Sequence, residues 1–126
     1  MADGFFEWWQ SGAGKIPYYI KLKSEEPFAF AGIYSLNEDD DGKKIPHFAI
    51  ITVEPNELVG KIHDRMPAML EKKDEQNWLL ETDEKKLLKL LKPYPADKMK
   101  GFPISKLVNS PKNDSPEVIY PLRQLL

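Results

Sequence analysis

Residues 4–23 read Gly4-Phe5-Phe6-Glu7-Trp8-Trp9-Gln10-Ser11-Gly12-Ala13-Gly14-Lys15-Ile16-Pro17-Tyr18-Tyr19-Ile20-Lys21-Leu22-Lys23. An aromatic-rich run, Phe5 to Gln10, is followed by a flexible Ser-Gly-Ala-Gly turn. Tyr18, Ile20 and Leu22 then alternate with Tyr19, Lys21 and Lys23, the pattern of a half-buried strand. Ser24-Glu25-Glu26-Pro27 punctuates the chain before a third expected strand, Phe28 to Ser35. The acidic loop Asn37 to Gly42 leads to a fourth, His47 to Val53. Short links between successive strands predict an antiparallel meander.

From Glu54 the period changes. Asn56 reads as a helix cap, Leu58, Val59 and Ile62 form one short apolar stripe, and His63 follows at its end. Arg65-Met66-Pro67 must be extended, because the residue before a proline is pushed out of helical geometry. Two helices are expected next, one near Lys72 to Leu80 carrying Trp78 and one near Asp83 to Leu91. In the second, Leu87, Leu88, Leu90 and Leu91 face inward, and Pro93 and Pro95 end it. Phe102 to Val108 reads as a last strand, and the proline-containing tail beyond Asn109 packs on the core or frays. The fold class is therefore α+β, a curved and mostly antiparallel β-core with two or three short helices, in a single domain over 1–126.

The bulk numbers suit that size. A chain of 126 residues with 41% hydrophobic and 11% aromatic residues buries a modest core. Its longest apolar runs, Phe28 to Ile33 and Phe48 to Val53, fall far short of the roughly 20 residues that cross a bilayer. The start has no basic, apolar, small-residue leader pattern, so a cytoplasmic protein with no membrane association is expected. Zero cysteines exclude disulfides, zinc-thiolate sites and thiol nucleophiles in this polypeptide. The net charge of -2 argues against coating nucleic acid by bulk electrostatics, yet residues 85–112 carry eight lysines against the single acid Asp97. That segment could face phosphates. A solvated lysine face is the favoured reading.

Few residues carry candidate chemistry. Imidazole titrates near neutral pH, and a partly buried carboxyl can be raised toward it, so His63 and Glu7 suit proton transfer. Glu7 sits in the apolar run Phe5-Phe6-Glu7-Trp8-Trp9, where a charge is costly unless solvated, paired or functional. On a strand it shares a face with Phe5 and Trp9. Read from the residues alone, an edge carboxylate in water and a structural histidine are the plainer explanations. Trp8, Trp9, Tyr18 and Tyr19 offer either core packing or stacking surfaces for unpaired bases, and alternation forbids Trp8 and Trp9 from both facing inward. Arg65, one of two arginines beside sixteen lysines, could grip a phosphate or pair with Asp64. His47 lies in no motif. Glu38, Asp39, Asp40 and Asp41 lack the alternation of an EF-hand loop, and no metal or cofactor is expected.

Taken in order, these stretches resemble the SOS response-associated peptidase (SRAP) family. Ala2 to Trp8 is similar to the family's Ala-Asp-Gly-Phe-Tyr-Glu-Trp, Phe28 to Tyr34 to its next core strand, and Thr52 through Pro67 to its histidine motif. Pro103-Ile104-Ser105 with Val108-Asn109 resembles its Pro-Val-Ser and Val-Asn signature. The resemblance implies a protein of the DNA-damage response that binds single-stranded DNA and crosslinks abasic sites through a cysteine next to the initiator methionine, with peptidase and lyase-type chemistry. It implies Glu7 and His63 as catalytic residues, Trp8 as a DNA-contacting aromatic and Arg65 as a backbone contact. It also implies that this chain is a partial SRAP domain, a natural short form or a piece without the cysteine-bearing start, inactive by itself. Lost strands leave sheet edges bare, so a homo-oligomer is expected. A noncatalytic module for single-stranded DNA or a protein is the alternative, and a stand-alone Glu/His hydrolase ranks last for want of a nucleophile.

Overall fold

The structure, a computed structural model, describes residues 1–122. Among the described residues, nine strands are laid down in chain order. They are β1 (Phe5–Ser11), β2 (Gly14–Leu22), β3 (Ala29–Phe30), β4 (Gly32–Glu38), β5 (Lys44–Ile50), β6 (Thr52–Val53), β7 (Met66–Pro67), β8 (Met69–Leu70) and β9 (Met99–Pro103). Two short helices, α1 (Glu75–Leu80) and α2 (Glu84–Leu88), lie between β8 and β9. Every strand pair is antiparallel, as the α+β expectation required.

The connectivity is not a simple meander. β2 is central in a three-stranded sheet of order β1-β2-β9, so its second neighbour comes from the far end of the chain. This also buries both faces of β2, where alternation predicted one. On one face Ile20 and Leu22 join Phe28, Val59, Met66, Met69 and Met99 in the main core. On the other, Tyr19 is sealed under Phe6 and Phe102, its ring 5.5 and 5.8 Å from theirs. Gly4 lies against that ring: a Cβ there would stand 2.3 Å from Tyr19. Burial first, and then Asp3, pushes the Tyr19 phenol up to about 12.

The two apolar runs expected as single strands each break once. Ala31 separates β3 from β4, and Ile51 separates β5 from β6. Ala31 N–H donates to the Ala68 carbonyl at 2.8 Å, Ile51 N–H to Ala31 at 3.0 Å, and Ala68 N–H to Ile51 at 2.8 Å. This triangle of main chains is a corner at which three strands change partner, and the alanines there are fully buried. β3 goes on to pair with β8, β6 with β7, and β4 with β5 as a separate two-stranded ribbon. Its turn is closed by Asp39, whose carboxylate accepts from the Asp41 and Lys43 amides, and by Gly42 at φ 76.

Asn56 does cap its turn, accepting from the amides of Leu58 and Val59, but only one 3-10 turn, Val59–Lys61, follows. The first expected helix is a 3-10 turn, Lys72–Asp74, running into α1. The second shortens to α2, capped by Asp83; Leu90 and Leu91 pack inward, whereas Leu88 is 56% exposed. The last strand starts and stops earlier than predicted. Ser105 caps a 3-10 turn over Lys106–Asn109, which takes the chain out of the sheet. In the tail, Val118 is buried and Leu122 N–H donates to Pro103. Residues 123–126 lie outside the described residues.

Candidate functional site

Register and packing together build one cleft. Glu7 lies opposite Tyr18 on β1, an edge strand, with Trp8 beside it. His63 follows the 3-10 turn, and its amide donates to the Val59 carbonyl at 2.9 Å. Because Phe5, Leu58 and Ile62 all pack on the main core, β1 and that turn are drawn to the same side of the molecule. The cleft between them, about 490 Å³, is lined by Glu7, Trp8, Lys15, His63, Val108 and Asn109.

Glu7 Oε2 and His63 Nδ1 stand 3.9 Å apart, with the Glu7 side chain 19% exposed and the histidine 44%. Burial raises the Glu7 carboxyl above the ordinary glutamate value. The charge of His63 and a hydrogen bond from the Trp8 amide oppose the rise, and Asp64 adds to it. Arg65 N–H donates to His63 Nδ1 at 3.2 Å. The Asp64 carboxylate approaches the same nitrogen at 3.3 Å. Nδ1 of His63 therefore lies within reach of two carboxylates, Glu7 at 3.9 Å and Asp64 at 3.3 Å.

The aromatic wall is fixed from a distance. Trp8 Nε1 donates to Asn109 Oδ1 at 2.8 Å, joining β1 to the turn after β9. Trp9, its neighbour, turns to the opposite side and lines a separate apolar hollow with Tyr18, Leu58 and Ile62. Arg65 does not pair with Asp64. Its Nη2 donates to the Thr52 carbonyl at 2.6 Å and its Nε to the Thr52 hydroxyl at 3.3 Å. Glu7, Trp8 and His63 are thus brought to one cleft, and Arg65 is tethered beside His63 by β6.

Lys15, Val108 and Asn109 line the cleft without having been singled out for a role. Lys15 was traceable from the hairpin register, which sets it opposite Gln10. Asn109 was visible only as part of the Val-Asn signature. The lysines of 85–112 do not form one face: Lys86 pairs with Glu81, Lys98 with Glu71 and Lys100 with Glu25. Ala2, whose amine removal of Met1 would free, bridges to Phe28 and lines a different groove. Among the described residues, no three His, Cys, Asp or Glu side chains gather as a metal site, and no helix is long and apolar enough to cross a membrane.

The profile of the family described as SOS response associated peptidase (SRAP) matches residues 1–111. The chain belongs to the SRAP family. It is 49% identical over 121 residues to the abasic site processing protein YoqW of Bacillus subtilis, a match that covers 94% of this chain and 54% of YoqW. It is 35% identical over 144 residues to the abasic site processing protein HMCES of Gallus gallus, covering 97% of this chain and 42% of that one. Its fold matches the crystal structure of a Bacteroides thetaiotaomicron protein with a TM-score of 0.87 at 37% identity, covering 95% of this chain and 54% of the other. The chain spans about half the length of the relatives it matches.

Proposed function

We propose that the chain is one partial SRAP domain, over 1–126, that supplies the proton-transfer and DNA-contact half of an abasic site processing protein. Its ligand is single-stranded DNA carrying an abasic site, and Glu7 and His63 are its catalytic residues. The observation that carries this reading is the Glu7 carboxyl and His63 imidazole 3.9 Å apart in a cleft also walled by Trp8.

An abasic sugar in its open form is an aldehyde, and joining it to a nucleophile requires a proton donated to the carbonyl oxygen and one removed from the adduct. Glu7, kept protonated to higher pH by burial, suits the donation. His63 suits the removal. Trp8 offers a stacking face for a base beside the lesion, worth roughly 1 to 3 kcal/mol. The N–H groups of Arg65 left free by Thr52 suit a phosphate. Crosslinking that aldehyde through a cysteine, as the family resemblance implies, needs a thiol that these residues lack. The chain alone is therefore inactive in that step. We place it in the cytoplasm, and in isolation its bare sheet edges favour homo-oligomers.

Anisotropy of a labelled single-stranded oligonucleotide with one abasic site, titrated at two salt concentrations, tests the reading. Affinity should fall as salt rises, and Trp8→Ala should weaken it about tenfold. No binding at low salt would sink it. A noncatalytic module for single-stranded DNA or a protein is the second reading, its protein-binding form favoured by the bare β4–β5 ribbon; under it, abasic and intact strands bind alike.

A further inference from the structure

Every residue of β4 and β5 is exposed. The pairing puts Tyr34 opposite Phe48, Leu36 opposite Pro46 and Gly32 opposite Ile50, so one face of the ribbon is apolar from its base almost to its turn. Tyr34 is 78% and Phe48 82% exposed. A lone two-stranded ribbon is marginal in water, and a contiguous apolar patch of this kind marks an interaction surface. At the ribbon's base a groove of about 470 Å³ runs beneath Ile33, Tyr34, Phe48 and Ile50, and Met1 and Ala2 form part of its wall. Each strand of the ribbon also keeps one edge unpaired.

We propose that this face and its two edges are the docking surface for the other half of the SRAP fold, the polypeptide that each relative carries outside the matched region. Three observations select that occupant. The Bacteroides relative reproduces 95% of this chain at a TM-score of 0.87, yet 46% of its own length lies outside the match and has to pack somewhere. The main core and the small core at the Ala31 corner are already closed by this chain's own residues, whereas the ribbon has nothing over it among the described residues. The groove at the ribbon's base is walled by Met1, Ala2 and Phe30, so the apolar face continues into it and offers a seat for an apolar segment. The occupant is accordingly an apolar, strand-forming segment that pairs an edge of β4 or β5 and covers Tyr34 and Phe48. This inference rests on membership of the family and does not require Glu7 and His63 to be catalytic.

The test co-expresses the tagged full chain with the unmatched half of YoqW as a separate, untagged polypeptide. A 1:1 complex should co-purify, with amide exchange across 32–50 slowed at least tenfold and exchange in β9 unchanged. Phe48→Asp and Tyr34→Asp should each weaken the complex at least tenfold, while Leu79→Asp, equally exposed at the far end of α1, should leave it intact. Failure to co-purify, a complex indifferent to Phe48→Asp, or a homodimer that keeps the ribbon covered when the YoqW half is present would each overturn the proposal. Complex formation is read without DNA, so its failure is separable from loss of abasic-site binding.

Discussion

Tyr19 and Tyr34 sit mid-strand with an aromatic residue directly opposite, Phe6 and Phe102 in one case and Phe48 in the other. The first is 3% exposed and the second 78%. The β1-β2-β9 sheet and the β4–β5 ribbon are thus alike in local pattern and opposite in burial. Alternation specifies a strand and its two faces; what covers each face is decided by segments remote in sequence. β2 is covered because β9 returns from the far end of the chain. The ribbon has no such neighbour among the described residues.

The widest gap between the regions should appear in their cores. Ile20→Ala, at a fully buried position, should cost about 2 to 5 kcal/mol in urea unfolding. Phe48→Ala, measured at a dilution where the chain is monomeric, should stay within about 0.5 kcal/mol. Equal losses would mean that the ribbon is packed in solution and the contrast false. A smaller effect sharpens the account of Tyr19: Gly4→Ala drives a methyl into its ring and should cost about 1 to 3 kcal/mol. The same change at Gly12, where a methyl meets nothing, should not.

The smallest effect is alkaline. Folding raises the Tyr19 phenol from 10.0 to about 12, so the folded state favours the neutral ring. Its contribution is complete below pH 10 and fades as pH climbs through about 12. Tyr19→Phe should flatten stability across that window, and an unchanged alkaline slope would remove the argument.

Much of this was legible from local pattern. The first hairpin, the acidic turn, the Asn56 cap and the extended Met66-Pro67 follow from turn chemistry and proline geometry. The breaks at Ala31 and Ile51 were not, because both lie inside unbroken apolar runs and arise from main-chain bonds with Ala68. The last strand was misplaced because Phe102 to Val108 is mostly apolar, while the Ser105 cap ends the strand first. Leu88 was assigned inward from a helix longer than the five residues that form. The meeting of Glu7 and His63 had no local signal, since 56 residues separate them in sequence; only the likeness to SRAP motifs joined them. Asn109 was quoted there without a role.

The hydrogen bond from the Trp8 indole to Asn109 spans 101 residues. A wall held that way exists only after nearly the whole polypeptide has threaded into place. Closing so long a loop costs chain entropy, so the cleft keeps its Trp8 wall only while the turn that carries Asn109 stays docked on the first strand.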